Sequence, residues 1–127
     1  NDGMTDEIDD CSTGDLAWIS NSTTDYDSDG CQDISEDLDD DNDGLDDNLD
    51  DCNKGNLGWI STNLTDHDFD GCEDSSEDLD DDNDDLPDLE DDCSTGDLAW
   101  ISNSTTDHDL DGCQDLAEDL DDDNDTI

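Results

Sequence analysis

The sequence predicts a tandem-repeat chain with little regular secondary structure, held by disulfides and bound cations in place of an apolar core. Three observations carry this expectation. A period of 41 residues runs through the 127-residue chain: Cys11, Cys52 and Cys93 fall in step, as do Cys31, Cys72 and Cys113, and Trp18, Trp59 and Trp100. There are 47 acidic residues against one base, Lys54, for a net charge of −46. Hydrophobic residues make up 27%, too few for a core of ordinary size. Composition alone would give disorder, but a strict period and six cysteines argue against it. The period divides the chain into the tail of a preceding repeat at 1–10, a first repeat at 11–51, a second at 52–92 and a truncated third at 93–127.

The charge sets the energetic problem. Unit charges 4 Å apart repel by about 1 kcal/mol in water and by about 4 at an effective dielectric near 20. With fifteen carboxylates in residues 11–51, folding requires divalent cations. The same charge excludes nucleic acid and membrane insertion as partners, since polyanions and anionic lipid both need cationic protein surface. Halophilic adaptation also enriches acids, but it would spread them over the surface, whereas these sit at ligand spacing.

Each repeat opens with a cysteine-bounded loop, 11–24 in the first. Its Leu16-Ala17-Trp18-Ile19 cluster and the copies at 57–60 and 98–101 are the main apolar stretches. HEAT-type helix pairs and propeller blades share this period but need longer apolar faces. The tryptophan is expected to form a local mini-core with the disulfide and leucines, near a short extended pair.

The second part is Asp25 to Glu36, which reads D-x-D-x-D-G-x5-E and recurs as Asp66 to Glu77 and Asp107 to Glu118. This is the spacing of an oxygen-ligand loop for calcium, which takes six to eight hard oxygens at roughly 2.3–2.6 Å. The side-chain ligands would be Asp25, Asp27, Asp29, Asp33 and Glu36; Asp66, Asp68, Asp70, Asp74 and Glu77; and Asp107, Asp109, Asp111, Asp115 and Glu118. Position 7 of such a loop gives only its carbonyl, and here it is Cys31, Cys72 and Cys113. Position 2 holds Tyr26, His67 and His108, expected to face solvent. No helical periodicity flanks the loop, so it is not a helix-loop-helix sensor. Single helical turns and plain turns are expected instead.

The third part is a second ligand run, D-x-D-x-D-G-x5-D, with Asp39, Asp41, Asp43, Asp47 and Asp50 as ligands. Its copy uses Asp80, Asp82, Asp84, Asp88 and Asp91, with Asp85 in the glycine's place; aspartate tolerates the left-handed conformation better than most residues. A further copy starts with Asp121, Asp123 and Asp125 and is cut short, and the N-terminal copy starts at Asn1. Neighbouring chains or adjoining repeats would complete both. Two ions per repeat are the minimum the motifs require.

Six cysteines in an acidic, sequon-bearing chain read as disulfides. The period leaves two sensible schemes. One pairs Cys11–Cys31, Cys52–Cys72 and Cys93–Cys113. The other pairs Cys31–Cys52 and Cys72–Cys93 and leaves Cys11 and Cys113 to neighbours. The first is favoured because it leaves no odd cysteine. A zinc site is disfavoured, since no C-x2-C spacing occurs. Asn21, Asn63 and Asn103 head N-glycosylation sequons at nearly equivalent places. Cysteines and sequons point to an extracellular or cell-surface setting.

The run from Asp39 to Cys52 is similar to the D-x-D-x-D-G-x-x-D-x-x-D-N-C pattern, and the chain as a whole resembles thrombospondin type 3 repeats. The resemblance implies an elongated rod wrapped around a string of calcium ions, with sequential disulfides and an adhesive, matrix or stalk role. The near-identity of the repeats is similar to secreted prokaryotic stalk or fibril forms. The Leu-Ala-Trp-Ile-Ser and sequon insert departs from the usual type 3 loop. Asn1, Asn42, Asn83 and Asn124 share one phase, so copies can stack head to tail. The functional expectation is a calcium-folded stalk or fibril, with copies of itself or adjoining repeats and glycans as partners. The alternative is an adhesin or a matrix- or mineral-binding calcium module. No Ser/His/Asp constellation suggests an enzyme.

Overall fold

The computed structural model describes residues 2–126, and among these there is no helix and no strand. The chain is built from turns. Single helical turns form where a backbone N–H reaches the carbonyl four residues back. Asp25 bonds to Asn21 at 3.0 Å, Glu36 to Gln32 at 2.9 Å, Asp66 to Thr62 at 2.9 Å and Glu118 to Gln114 at 2.9 Å. The extended pair expected near the tryptophan does not form. Ala17 and Ala99 take φ of 73° and 69°, and Gly58 takes 88°, and a left-handed residue beside each tryptophan breaks any extended run.

Three disulfides close the cysteine-bounded loops: Cys11–Cys31, Cys52–Cys72 and Cys93–Cys113, each spanning 20 positions. This is the first of the two pairing schemes, and no described cysteine is free. Closing a loop of that length stabilises the fold by about 3 kcal/mol in the chain-entropy model. The chain divides into two compact units, Asn1–Ser61 with Asp70–Cys72, and Thr62–Phe69 with Glu73–Ile127. The Cys52–Cys72 bond accounts for Asp70–Cys72 belonging to the first unit. Among the described residues no helix is long and apolar enough to cross a membrane.

The interior reverses the usual order of burial. The buried hydrophobic residues are Cys31, Cys72, Cys113 and Trp100. The leucines expected to complete a mini-core are exposed, Leu16 by 80% and Leu57 by 52%. The most deeply buried side chains are instead Asp25, Asp41, Asp43, Asp66, Asp82, Asp84 and Asp107. A carboxylate taken out of water without a countercharge is strongly destabilising. Several of these buried aspartates fall in carboxylate clusters that could hold a metal ion.

Candidate metal centres

The ligand loops are shaped by their own carboxylates. In the first unit, Asp25 accepts the N–H groups of Asp29 at 3.1 Å and Gly30 at 3.2 Å, and Asp29 accepts the N–H of Cys31 at 2.7 Å. These bonds curl the backbone so that Asp25, Asp27 and Asp29 bring carboxylate oxygens within 4.8 Å of one another. Asp39, Asp41 and Asp43 do the same, with Asp39 accepting from Asp43 at 3.2 Å and Gly44 at 3.0 Å. In the second unit, Asp107 accepts from Asp111 at 3.2 Å and Gly112 at 3.0 Å, and Asp80 accepts from Asp84 at 3.2 Å and Asp85 at 3.2 Å. Asp85 takes φ of 77° where Gly44 has 97°, so the aspartate keeps the turn. Asp66 and Asp68 belong to the second unit and Asp70 to the first.

Loop position 4 was not singled out in the sequence, yet Ser28, Phe69 and Leu110 adopt φ of 66°, 63° and 62°. A left-handed conformation costs a non-glycine residue roughly 1–2 kcal/mol. For Phe69 and Leu110 no side-chain hydrogen bond can offset it. The aspartates converge at the expense of this strain, which a bound ion would offset.

Ninth-position residues lie elsewhere in part. Asp33 turns one oxygen to the N–H of Tyr26 at 3.0 Å, and Asp74 does so to His67 at 3.0 Å. Asp33 also groups with Asp37 and Asp40, and Asp74 with Asp78 and Asp81, again within 4.8 Å. Asp37 and Asp78 were missed in the sequence because they sit between the two motif frames, and Asp40 and Asp81 because they fill position 2 of the second frame, which supplies no ligand. Their only sequence signal is the unbroken acidity between the two runs. Of the closing glutamates, Glu36 accepts the N–H of Asp15, and Glu118 that of Asp97 at 2.5 Å. They therefore tie the ligand loop to the cysteine-bounded loop. Asp47 and Asp88 accept the N–H groups of Asp40 and Asp81, both at 2.9 Å. In the last run Asp123 and Asp125 are exposed, unlike Asp41 and Asp43.

Asp9, Asp50 and Asp91 occupy a distinctive seat. The residue after each donates its N–H to the carbonyl of Asp29, Asp70 or Asp111 at 2.8, 2.7 and 2.7 Å. Each carboxylate is thereby laid against Gly30, Gly71 or Gly112, glycines with φ of 93°, 88° and 88°. Only a residue lacking Cβ leaves room there. Asp50 and Asp91 use one oxygen to accept the N–H of Cys52 and Cys93, both at 2.6 Å; the other is buried without a partner, as is one oxygen of Asp9.

Electrostatics follow from this crowding. Burial, reinforced by Asp41, pushes Asp50 up to about 7. Burial, reinforced by Asp82, does the same to Asp91, also about 7. Burial raises Asp37 and Asp82 to about 6. Asp107 is the exception: burial raises it, but hydrogen bonds from Ser102 and from the N–H groups of Gly112, Leu110 and Asp111 outweigh that and hold it low. Converging carboxylate oxygens, several of them buried without a hydrogen-bond partner, are hard donors that could hold a metal ion.

Position 2 does not simply face solvent. Tyr26 Oη donates to the carbonyl of Gly55 at 2.9 Å, and His67 Nε2 lies 2.8 Å from the carbonyl of Gly96; His108 is exposed. Of the three sequon asparagines, all are exposed, and Asn21 and Asn103 each accept the N–H two residues on at 3.1 Å. Neither a protein-family model nor a curated protein sequence matches this chain.

Proposed function

We propose that this chain is an extracellular structural calcium-binding repeat protein, folded by calcium and built to continue head to tail as a stalk or fibril. The observation that carries this is the interior itself, in which seven aspartates are the most buried side chains and many of their neighbours have buried, unpartnered oxygens. The cation is the core. Calcium fits better than a transition metal because all the candidate donors are carboxylate or carbonyl oxygens, and better than magnesium because it takes six to eight oxygens in irregular geometry, as clusters built from turns offer. Each site held at a hundredfold excess over its dissociation constant adds about 2.7 kcal/mol to stability. Several such sites offset the repulsion that forbids a metal-free fold.

The resemblance to thrombospondin type 3 repeats agrees with this reading. The three disulfides fit an oxidising, extracellular compartment, and exposed Asn21, Asn63 and Asn103 are accessible to glycosylation. Imaging and small-angle scattering test the proposal. Extended particles are expected in millimolar calcium and expanded coil in chelator; rods that survive full chelation under reducing conditions would overturn it.

A further inference from the structure

We propose that Asp74, Asp78 and Asp81 form an additional divalent-cation site, and that Lys54 occupies the equivalent cluster of the preceding repeat as a built-in cation in place of the ion. The inference rests on calcium binding by this chain and says where it stops.

The two clusters are built alike. Asp78 gives one oxygen to the N–H groups of Leu79 at 2.7 Å and Asp80 at 3.0 Å, and its other oxygen is buried without a partner. Asp37 gives one oxygen to the N–H of Asp39 at 3.2 Å and likewise keeps a buried, unpartnered one. Asp81 is 9% exposed and Asp40 5%, and each holds an unpartnered buried oxygen. Carboxylates this deeply buried do not stay unpaired in a folded protein.

At the first cluster the countercharge is visible. Lys54 Nζ contacts Asp33 Oδ2, lies 3.2 Å from Asp40 Oδ2, and sits 5.8 Å from the centre of the Tyr26 ring. At the second cluster the position 41 residues on is Thr95, and the ring is that of His67. The backbone that presents these residues is the same in both. Gly55 N–H donates to Asp41 at 2.8 Å and Gly96 N–H to Asp82 at 3.0 Å, and the Tyr26 and His67 bonds fix both glycine carbonyls. One cluster therefore has an ammonium held by protein, and the other, set by matching glycine bonds, has no lysine or arginine among the described residues. A lone ammonium neutralises one charge of three; a divalent ion neutralises two and coordinates all three carboxylates at once.

Counting ions on the full chain by native mass spectrometry in calcium tests this. K54T should bind one more calcium than the unaltered chain, T95K one fewer, and the double variant the same number. Both residues are exposed, so neither change removes packing. Terbium emission excited through tyrosine should rise in K54T and fall again when Tyr26→Phe is added. Unchanged ion counts in both single variants, with calcium still bound elsewhere, would overturn this inference alone. A chain that takes up no calcium at all would overturn it together with the proposed function.

Discussion

Replacing Gly71 by alanine separates the seat of Asp50 from ordinary backbone strain. Gly71 and Gly58 both have φ of 88°, so an alanine at either meets the same left-handed penalty, roughly 1–2 kcal/mol. Their surroundings differ. A Cβ on Gly58 would meet nothing within 4 Å, whereas one on Gly71 would overlap Oδ1 and Cγ of Asp50 and lie 3.0 Å from its Cβ. Asp50 cannot swing away freely, because it is buried, its N–H acceptor bond to Cys52 is 2.6 Å, and Asp51 is bonded to Asp70 at 2.7 Å. Overpacking of that kind adds about 1–3 kcal/mol. Gly71→Ala should therefore lose about 2–5 kcal/mol and Gly58→Ala about 1–2. Urea unfolding at one fixed, saturating calcium concentration, followed by tryptophan fluorescence, measures both. If Gly71→Ala proves no worse than Gly58→Ala, Asp50 is not seated on the glycine and the account of the linked loops fails.

Two further outcomes are expected. Asp50 and Asp91 stand at about 7 against an ordinary value of 3.8, so protons compete with cations for these two carboxylates between those limits. In calcium the ion replaces the protons, so apparent calcium affinity should weaken on acidification through the same window. Calcium titrations followed by tryptophan fluorescence read the competition, and an affinity that rises on acidification would contradict the burial of these groups. Tyr26→Phe removes the 2.9 Å bond to the Gly55 carbonyl and should destabilise the chain by about 1 kcal/mol, read as a lowered urea midpoint in calcium; an unchanged midpoint would mean the bond contributes nothing.

Local chemistry was legible in the sequence because it is written at fixed short spacing. The D-x-D-x-D-G pattern set which aspartates curl inward, as the bonds from Asp29 and Gly30 to Asp25 show. The scarcity of regular structure followed from the missing apolar faces. The cysteine order narrowed the pairing to two schemes, of which the structure has the one closing each loop on itself. The tertiary structure decided what depends on distant chain segments meeting. It placed Asp50 on Gly71, brought Asp37 and Asp40 to Asp33, and carried Lys54 to the same cluster. It also sent the leucines outward and the aspartates inward. Hydrophobicity ranks side chains for burial against water, and so predicted a tryptophan and leucine core. In a chain with 47 acids and one base, the carboxylates instead gather into clusters that could hold metal ions, and those clusters exist only in three dimensions.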